Sequence, residues 1–110
     1  MLKVVACVLG VLFLTAAGPV AQPVSVTMKS LTFDPKRVEI AQGQSVVWTN
    51  AAHTEHSASS EGAPSVFDTG MIAPGMTSSP VAFTKAGEYR YHCAMHGKTM
   101  SGVVVVKAAP

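Results

Sequence analysis

The sequence predicts an all-β protein, a Greek-key β-sandwich of about eight short strands in one domain. Three observations indicate this fold class. Apolar and polar residues alternate in several short segments, which is the period of a half-buried strand. Turns rich in glycine and proline separate these segments at intervals of about 8 to 12 residues, and no stretch has a convincing helical period. The 110 residues are 48% hydrophobic and 13% charged, which suits one folded domain with a buried core.

The first half of the mature chain contains the clearest strand patterns. Residues 24–28 alternate between apolar and polar side chains and form the first predicted strand. Phe33 follows, and Asp34-Pro35 predicts a turn. Residues 37–40 predict a short strand, and residues 45–50 predict a longer one that is rich in valine and contains the only tryptophan.

The second half begins with a polar segment and ends with strands. Residues 51–62 are small and polar, which predicts a loop with a short strand near His56. Strands are predicted at residues 81–84 and 88–93, since both alternate or are rich in strand-forming residues. Residues 102–107 contain four consecutive valines, which predicts a strand buried on both faces.

Residues 1–21 have the layout of a secretory signal peptide. Lys3 gives a positive start, an uncharged apolar run follows at residues 4–14, and small residues suited to cleavage come next. The apolar run is shorter than the roughly 20 residues of a membrane span, so we expect no span in the mature form, although an uncleaved anchor is the alternative. We therefore predict an exported protein whose functional domain is residues 22–110.

Composition and cysteine count narrow the classes of function. A formal net charge of +2 gives no support for nucleic-acid binding. Removal of the signal segment also removes Cys7, so Cys93 is the single cysteine of the mature chain. A lone thiol in an exported protein predicts a reactive thiol or a metal ligand rather than a disulfide.

The segment around Cys93 carries the strongest chemical signal. Cys93, His96 and Met100 lie within eight residues, between two predicted strands, so all three side chains can face one ion. Two imidazoles, a thiolate and a weak thioether are the ligands of blue-copper electron-transfer sites, whereas zinc usually takes four strong ligands. The second imidazole must come from elsewhere, and His56 is the best candidate.

Each of these assignments has an alternative. His53 competes with His56, and Met95 competes with Met100 as the thioether ligand. His92 precedes Cys93 in a strand, so its side chain is predicted on the opposite face. Taken singly, a buried cysteine is usually a small hydrophobic residue, and a methionine beside a valine strand is usually core.

At these residues the sequence resembles the small cupredoxins, in particular the plastocyanin and amicyanin group. The shared motifs are Phe33-Asp34-Pro35, Val46-Val47-Trp48-Thr49-Asn50, His56, Phe67-Asp68-Thr69-Gly70, Ala73-Pro74-Gly75, Phe83, Gly87-Glu88-Tyr89 and the segment from Tyr91 to Met100.

The resemblance implies an eight-stranded sandwich that holds one copper ion near one end. It implies that His56, Cys93 and His96 are the equatorial ligands and that Met100 is the axial ligand. It also implies a monomeric, soluble carrier of single electrons in the periplasm, between larger redox enzymes or cytochromes, and not an enzyme.

Two departures from the resemblance concern the copper site. Three residues separate His96 from Met100, whereas amicyanin-like loops have two and plastocyanin-like loops have four. The residue after the first histidine ligand is often asparagine in this group and braces the ligand loop, and here it is Ser57. We expect Ser57 to form a hydrogen bond of shorter reach.

Three other functions compete with electron transfer. The methionines at positions 71, 76, 95 and 100 are compatible with a protein that stores or delivers Cu(I). An enzyme is disfavoured because one short domain lacks a second copper centre and shows no paired acid and base. A plain adhesion sandwich with a chance cluster of ligand-type residues is the third alternative.

Overall fold

The computed structural model describes residues 22–62 and 65–109, and the predicted signal segment lies outside them. Within these ranges the chain has eight strands in two four-stranded sheets and no helix, which confirms the predicted all-β sandwich. The strands are β1 (Val24–Met28), β2 (Phe33–Asp34), β3 (Arg37–Ala41), β4 (Ser45–Asn50), β5 (Ser59–Ser60), β6 (Val81–Ala82), β7 (Gly87–Cys93) and β8 (Gly97–Lys107).

The first sheet has the strand order β2-β1-β4-β6. Its two central strands, β1 and β4, are parallel and place Val26 beside Trp48. Alternate residues of both strands point inward, as the sequence pattern predicts, so Val26, Val46 and Trp48 are fully buried. Strand β4 ends at Asn50, and this end leads the chain toward the candidate site.

The second sheet has the order β3-β8-β7-β5, with β8 parallel to β3 and antiparallel to β7. The prediction that the valine run is buried on both faces is wrong. Val104 and Val106 point into the core, whereas Val103 and Val105 are half-buried on the outer face. In a two-layer sandwich only one face of each sheet is covered, so every second residue of an apolar run faces outward.

Strand β8 begins at Gly97, five residues before its predicted start at Gly102. Gly97 has a φ of +58° and pairs with Cys93, so the chain turns sharply and joins the sheet at once. The connection between β7 and β8 is therefore a three-residue turn, Ala94 to His96, rather than a loop that reaches Ser101.

Two short strands also differ in position from their predictions. The strand expected near His56 is β5, three residues further along. Strand β6 ends at Ala82 because Phe83 turns to the β3–β4 connection, where its backbone bonds to Gly43 and Gln44 at 2.7 and 3.0 Å.

Aromatic side chains join the two sheets in the core. The indole of Trp48 stacks on Phe67 with ring centroids 5.4 Å apart and meets the edge of Tyr91 at the same distance. Phe33 also packs edge-on against Tyr91, with ring centroids 4.7 Å apart. Burial of each of these aromatic side chains stabilises the fold by roughly 1.5–3 kcal/mol. Because Phe33 and Trp48 belong to one sheet and Tyr91 to the other, their contacts hold the two sheets together.

Candidate metal centre

Three ligand-type side chains meet at one end of the sandwich. The donor atoms of His56, Cys93 and His96 all lie within 4.8 Å of one another. His56 and Cys93 are fully buried, and His96 is half-buried. Within residues 22–62 and 65–109 no other group of three histidine, cysteine or acidic side chains is arranged in this way.

The end of β7 and the turn after it deliver Cys93 and His96. Tyr91 and Cys93 share the inward face of β7, which fixes the direction of the thiol. The backbone N–H of His96 donates to the carbonyl of Cys93 at 3.2 Å, which closes the turn. A turn this short leaves the two side chains side by side.

His56 reaches the site from the segment that follows β4. Its backbone pairs with Ile72 through two hydrogen bonds, with N···O distances of 3.3 Å and 2.7 Å. These bonds hold the His56 backbone against the segment of Ile72 and do not depend on a metal ion. His56 therefore enters the cluster from a part of the sequence remote from Cys93.

Asn50 organises this segment, and sequence reasoning did not assign it that role. Its side-chain amide donates to the carbonyls of Thr54 and Ile72, at 2.8 Å each, and accepts from the N–H of Ala52 at 2.8 Å. Asn50 is fully buried, so these bonds satisfy a polar group that would otherwise be costly. An asparagine at the inward position at the end of a buried strand was the available signal.

The ring nitrogens fit the binding of a metal. His56 Nδ1 lies 3.6 Å from Cys93 Sγ, and the two imidazole centroids are 5.1 Å apart. His96 Nδ1 is buried and has no hydrogen-bond partner. A buried ring nitrogen is usually paired, so this atom is free to bind a metal ion. Burial, and then the neighbouring His96, lower the pKa of His56 from its usual 6.5. The neutral imidazole, which is the metal-binding form, is therefore favoured.

The two candidate thioethers differ sharply in burial. Met100 is fully buried and lies on the same inward face of β8 as Val104. Met95 belongs to the turn, and 60% of its surface is exposed. Met100 is therefore held in the core, whereas Met95 faces solvent.

The two remaining histidines lie apart from the cluster. His53 is exposed in the segment after β4. His92 points to the outer face of β7, as predicted, where its Nδ1 is 3.7 Å from the carboxylate of Glu61. Neither residue belongs to the group of donor atoms.

Ser57 holds the thiol and the turn in place. Its backbone N–H donates to Cys93 Sγ at 3.4 Å, and its hydroxyl oxygen accepts from the N–H of Ala94 at 2.9 Å. The expected hydrogen bond of Ser57 is therefore present. Groups of this kind orient ligands and tune the metal they bind.

The donor set indicates which chemistry the site can perform. One cysteine sulfur and two imidazoles suit copper in an electron-transfer site, where a thioether is the usual weak additional ligand. A structural zinc site would use four strong ligands, and a catalytic one would keep an open position for water.

Comparison with known proteins agrees with this donor set. A sequence model of the family described as Cupredoxin-like domain matches residues 3–106. Chloroplastic plastocyanin of Tetradesmus obliquus is 36% identical over an alignment 94 residues long, and the match covers 71% of this chain and 60% of that protein. The chain therefore spans about 60% of the length of this curated relative.

Solved structures show the same architecture. An oxidised mutant of amicyanin has a TM-score of 0.69 and 26% identity, over 77% of this chain and 82% of that one. A purple cupredoxin from Nitrosopumilus maritimus, at 22% identity and a TM-score of 0.68, covers 76% of this chain and 99% of its own, and shares the fold. A Cu-containing nitrite reductase from Thermus scotoductus reaches a TM-score of 0.71 at 30% identity, over 86% of this chain but 26% of its own length.

Proposed function

Since the chain belongs to the family of cupredoxin-like domains, we propose that it is a blue-copper protein that binds one copper ion and carries single electrons between redox proteins. The observation that carries this proposal is the convergence of His56, Cys93 and His96 within 4.8 Å. Copper, when bound, supplies a one-electron couple between Cu(I) and Cu(II).

We assign His56, Cys93 and His96 as the strong ligands and Met100 as the weak axial ligand. The Cys93 thiolate would form the most covalent bond, and its burial excludes water and oxidants from the sulfur. The full burial of Met100 supports its axial role. Hydrogen bonds from Ile72 hold His56, and hydrogen bonds within the β7–β8 turn and from Ser57 hold Cys93 and His96. The site therefore needs little rearrangement when its charge changes.

The surface beside His96 suits the brief docking of a donor or an acceptor protein. His96 is the least buried of the three clustered ligands, and the turn places the exposed Met95 next to it. Met71 and Met76, 43% and 59% exposed, lie in the segment that pairs with His56. A small apolar surface allows fast release.

The proposed site of action is the periplasm, in a soluble and monomeric form. The signal-peptide pattern of residues 1–21 supports export. In the described ranges, no helix is long and apolar enough to span a membrane. The redox donor and acceptor are proposed to be larger enzymes or cytochromes.

The protein is proposed to transfer electrons and not to catalyse a reaction of its own. The match covers about a quarter of the Cu-containing nitrite reductase, so most of that larger protein has no counterpart in the match. The described residues contain a single group of metal-ligand side chains.

Exposed methionines favour one second function, the delivery of Cu(I). Met71, Met76 and Met95 present soft thioethers to solvent. Voltammetry combined with a Cu(I) chelator separates the two functions. A carrier gives a reversible one-electron wave and keeps its copper through repeated cycles of ascorbate and ferricyanide. A delivery protein loses Cu(I) to the chelator after the first reduction.

A further inference from the structure

A row of hydrogen-bonded hydroxyl groups leads from the ligand turn to the surface. Ser57 and Ser59 are buried, with 1% and 8% of their surface exposed, and their hydroxyl oxygens are 3.1 Å apart. The N–H of Ala94 lies 2.9 Å from Ser57 Oγ at the inner end. Ser59 Oγ lies 3.0 Å from Oδ1 of the exposed Asp68 at the outer end. The row is continuous from the turn to solvent.

The hydroxyl protons in this row can all be donated in only one direction, from Ser57 toward Asp68. Asp68 Oδ1 is an acceptor and receives the Ser59 hydroxyl and the N–H of Gly70, at 3.0 and 2.8 Å. Ser59 has spent its single proton, so its oxygen accepts the proton of Ser57. Ser57 has then spent its proton as well, and its oxygen accepts the N–H of Ala94.

We propose that Ser59 and Asp68 are positioning residues that set the reduction potential of the copper site through Ser57. They turn the Ser57 hydroxyl proton away from Cys93 and toward the surface. The Cys93 sulfur then receives the backbone N–H of Ser57, at 3.4 Å, and no bond from the Ser57 hydroxyl. This inference rests on the proposed copper function for its effect on potential, but the hydrogen-bond row itself does not depend on copper.

The number of hydrogen bonds to a ligand sulfur alters its redox behaviour. The Cys93 sulfur carries more negative charge when the copper is reduced, since Cu(II) draws electron density from the thiolate. A further hydrogen bond to the sulfur therefore stabilises the reduced state and raises the potential. By holding the Ser57 proton away, the row keeps the potential lower than the ligand set alone would give.

The role of Asp68 depends on its acceptor oxygen more than on its charge. The carboxylate is exposed, so water and salt screen its field at the copper site. An asparagine keeps an acceptor oxygen for both Ser59 and Gly70, whereas an alanine removes it. The two substitutions at Asp68 therefore separate geometry from charge.

The test compares reduction potentials of copper-loaded, full-length variants. Ser59→Ala and Asp68→Ala release the Ser57 hydroxyl, and we expect a higher potential and a sulfur-to-copper charge-transfer band at higher energy. Asp68→Asn should restore the wild-type values. Asp34→Asn is the matched control, because this exposed aspartate pairs with Lys29 and has no bond to the row. A potential that is unchanged or lowered in both alanine variants overturns the proposal.

A double-mutant cycle shows whether the row acts through Ser57. In a Ser57→Ala background, Ser59→Ala and Asp68→Ala should have no further effect on the potential. The same upward shift in that background contradicts the proposed route. Circular dichroism confirms that each variant keeps its β structure, and Asp68→Ala, at an exposed position, gives an answer if the buried Ser59→Ala does not fold.

A metal-free measurement separates this proposal from the proposed function. The row protects the amide of Ala94, so Ser59→Ala and Asp68→Ala should speed its hydrogen exchange relative to Val104 in the central strand β8. An unchanged ratio of the two exchange rates contradicts the row. If the wild-type protein binds no copper, the copper function fails, yet the exchange ratio still decides whether the row holds the turn.

Discussion

His56 Nδ1 and Cys93 Sγ lie 3.6 Å apart although 37 positions separate the two residues in the chain. Two separate sets of contacts produce this approach. Asn50 and Ile72 hold the segment of His56, and the β7–β8 turn holds Cys93. Copper would therefore find these side chains already assembled, so loss of a ligand and loss of a supporting contact should have different effects.

Met100→Gln should keep copper bound and lower the reduction potential. An amide oxygen is a harder donor than a thioether, so it favours Cu(II) over Cu(I). Voltammetry of the copper-loaded variant measures the effect. Met95→Gln is the matched control, since Met95 is 60% exposed and should leave the potential unchanged. The opposite pattern would transfer the axial role to Met95.

Asn50→Ala should destabilise the protein by roughly 2–4 kcal/mol, because it leaves buried backbone groups without partners. Urea unfolding of the metal-free protein measures the loss. Gln42→Ala removes two side-chain hydrogen bonds at an exposed position and should cost less than about 1 kcal/mol. Equal losses in the two variants would show that Asn50 does not organise the His56 segment.

The metal-free protein should lose stability as the pH falls below about 6.5. Burial and His96 lower the pKa of His56 in the folded state, so the unfolded chain binds the proton first. Stability is therefore retained above pH 6.5 and declines toward the folded-state pKa. Unfolding curves measured at several pH values give the free energy of unfolding as a function of pH. This free energy should change less with pH in His56→Gln than in the wild type, whereas His53→Gln, at an exposed site, should keep the wild-type slope of free energy against pH. An identical slope in both variants would assign the effect to another group.

Gly102→Ala should destabilise the fold by about 1–3 kcal/mol through overpacking. A Cβ atom at this position would lie 2.6 Å from the ring of Tyr91 and 2.9 Å from the carbonyl of Lys36. Ser101→Ala, the neighbouring control, adds no atoms and should change the midpoint of thermal unfolding little. Equal midpoints in the two variants would mean that Tyr91 moves aside freely.

Sequence reasoning reached the fold, Cys93 and His96 because these are local signals, whereas His56, 37 positions before Cys93, was one of two candidate histidines. The alternation of Tyr91 and Cys93 predicts a strand and its inward face, and soft donors close together in sequence predict a common ion. The early start of β8 was missed because it depends on pairing between Gly97 and Cys93. The role of Asn50 was likewise hidden, since it depends on which side chains the tertiary packing buries.

The most direct test is the visible absorption and EPR spectrum of the protein with one equivalent of Cu(II), alongside Cys93→Ser. We predict an intense blue band and a narrow copper hyperfine splitting, bleached by ascorbate and restored by ferricyanide. Cys93→Ser should lose the blue band while circular dichroism still shows the β fold. A colourless wild-type complex, or a blue band that survives in Cys93→Ser, would contradict the assignment of Cys93 as the copper-binding thiolate.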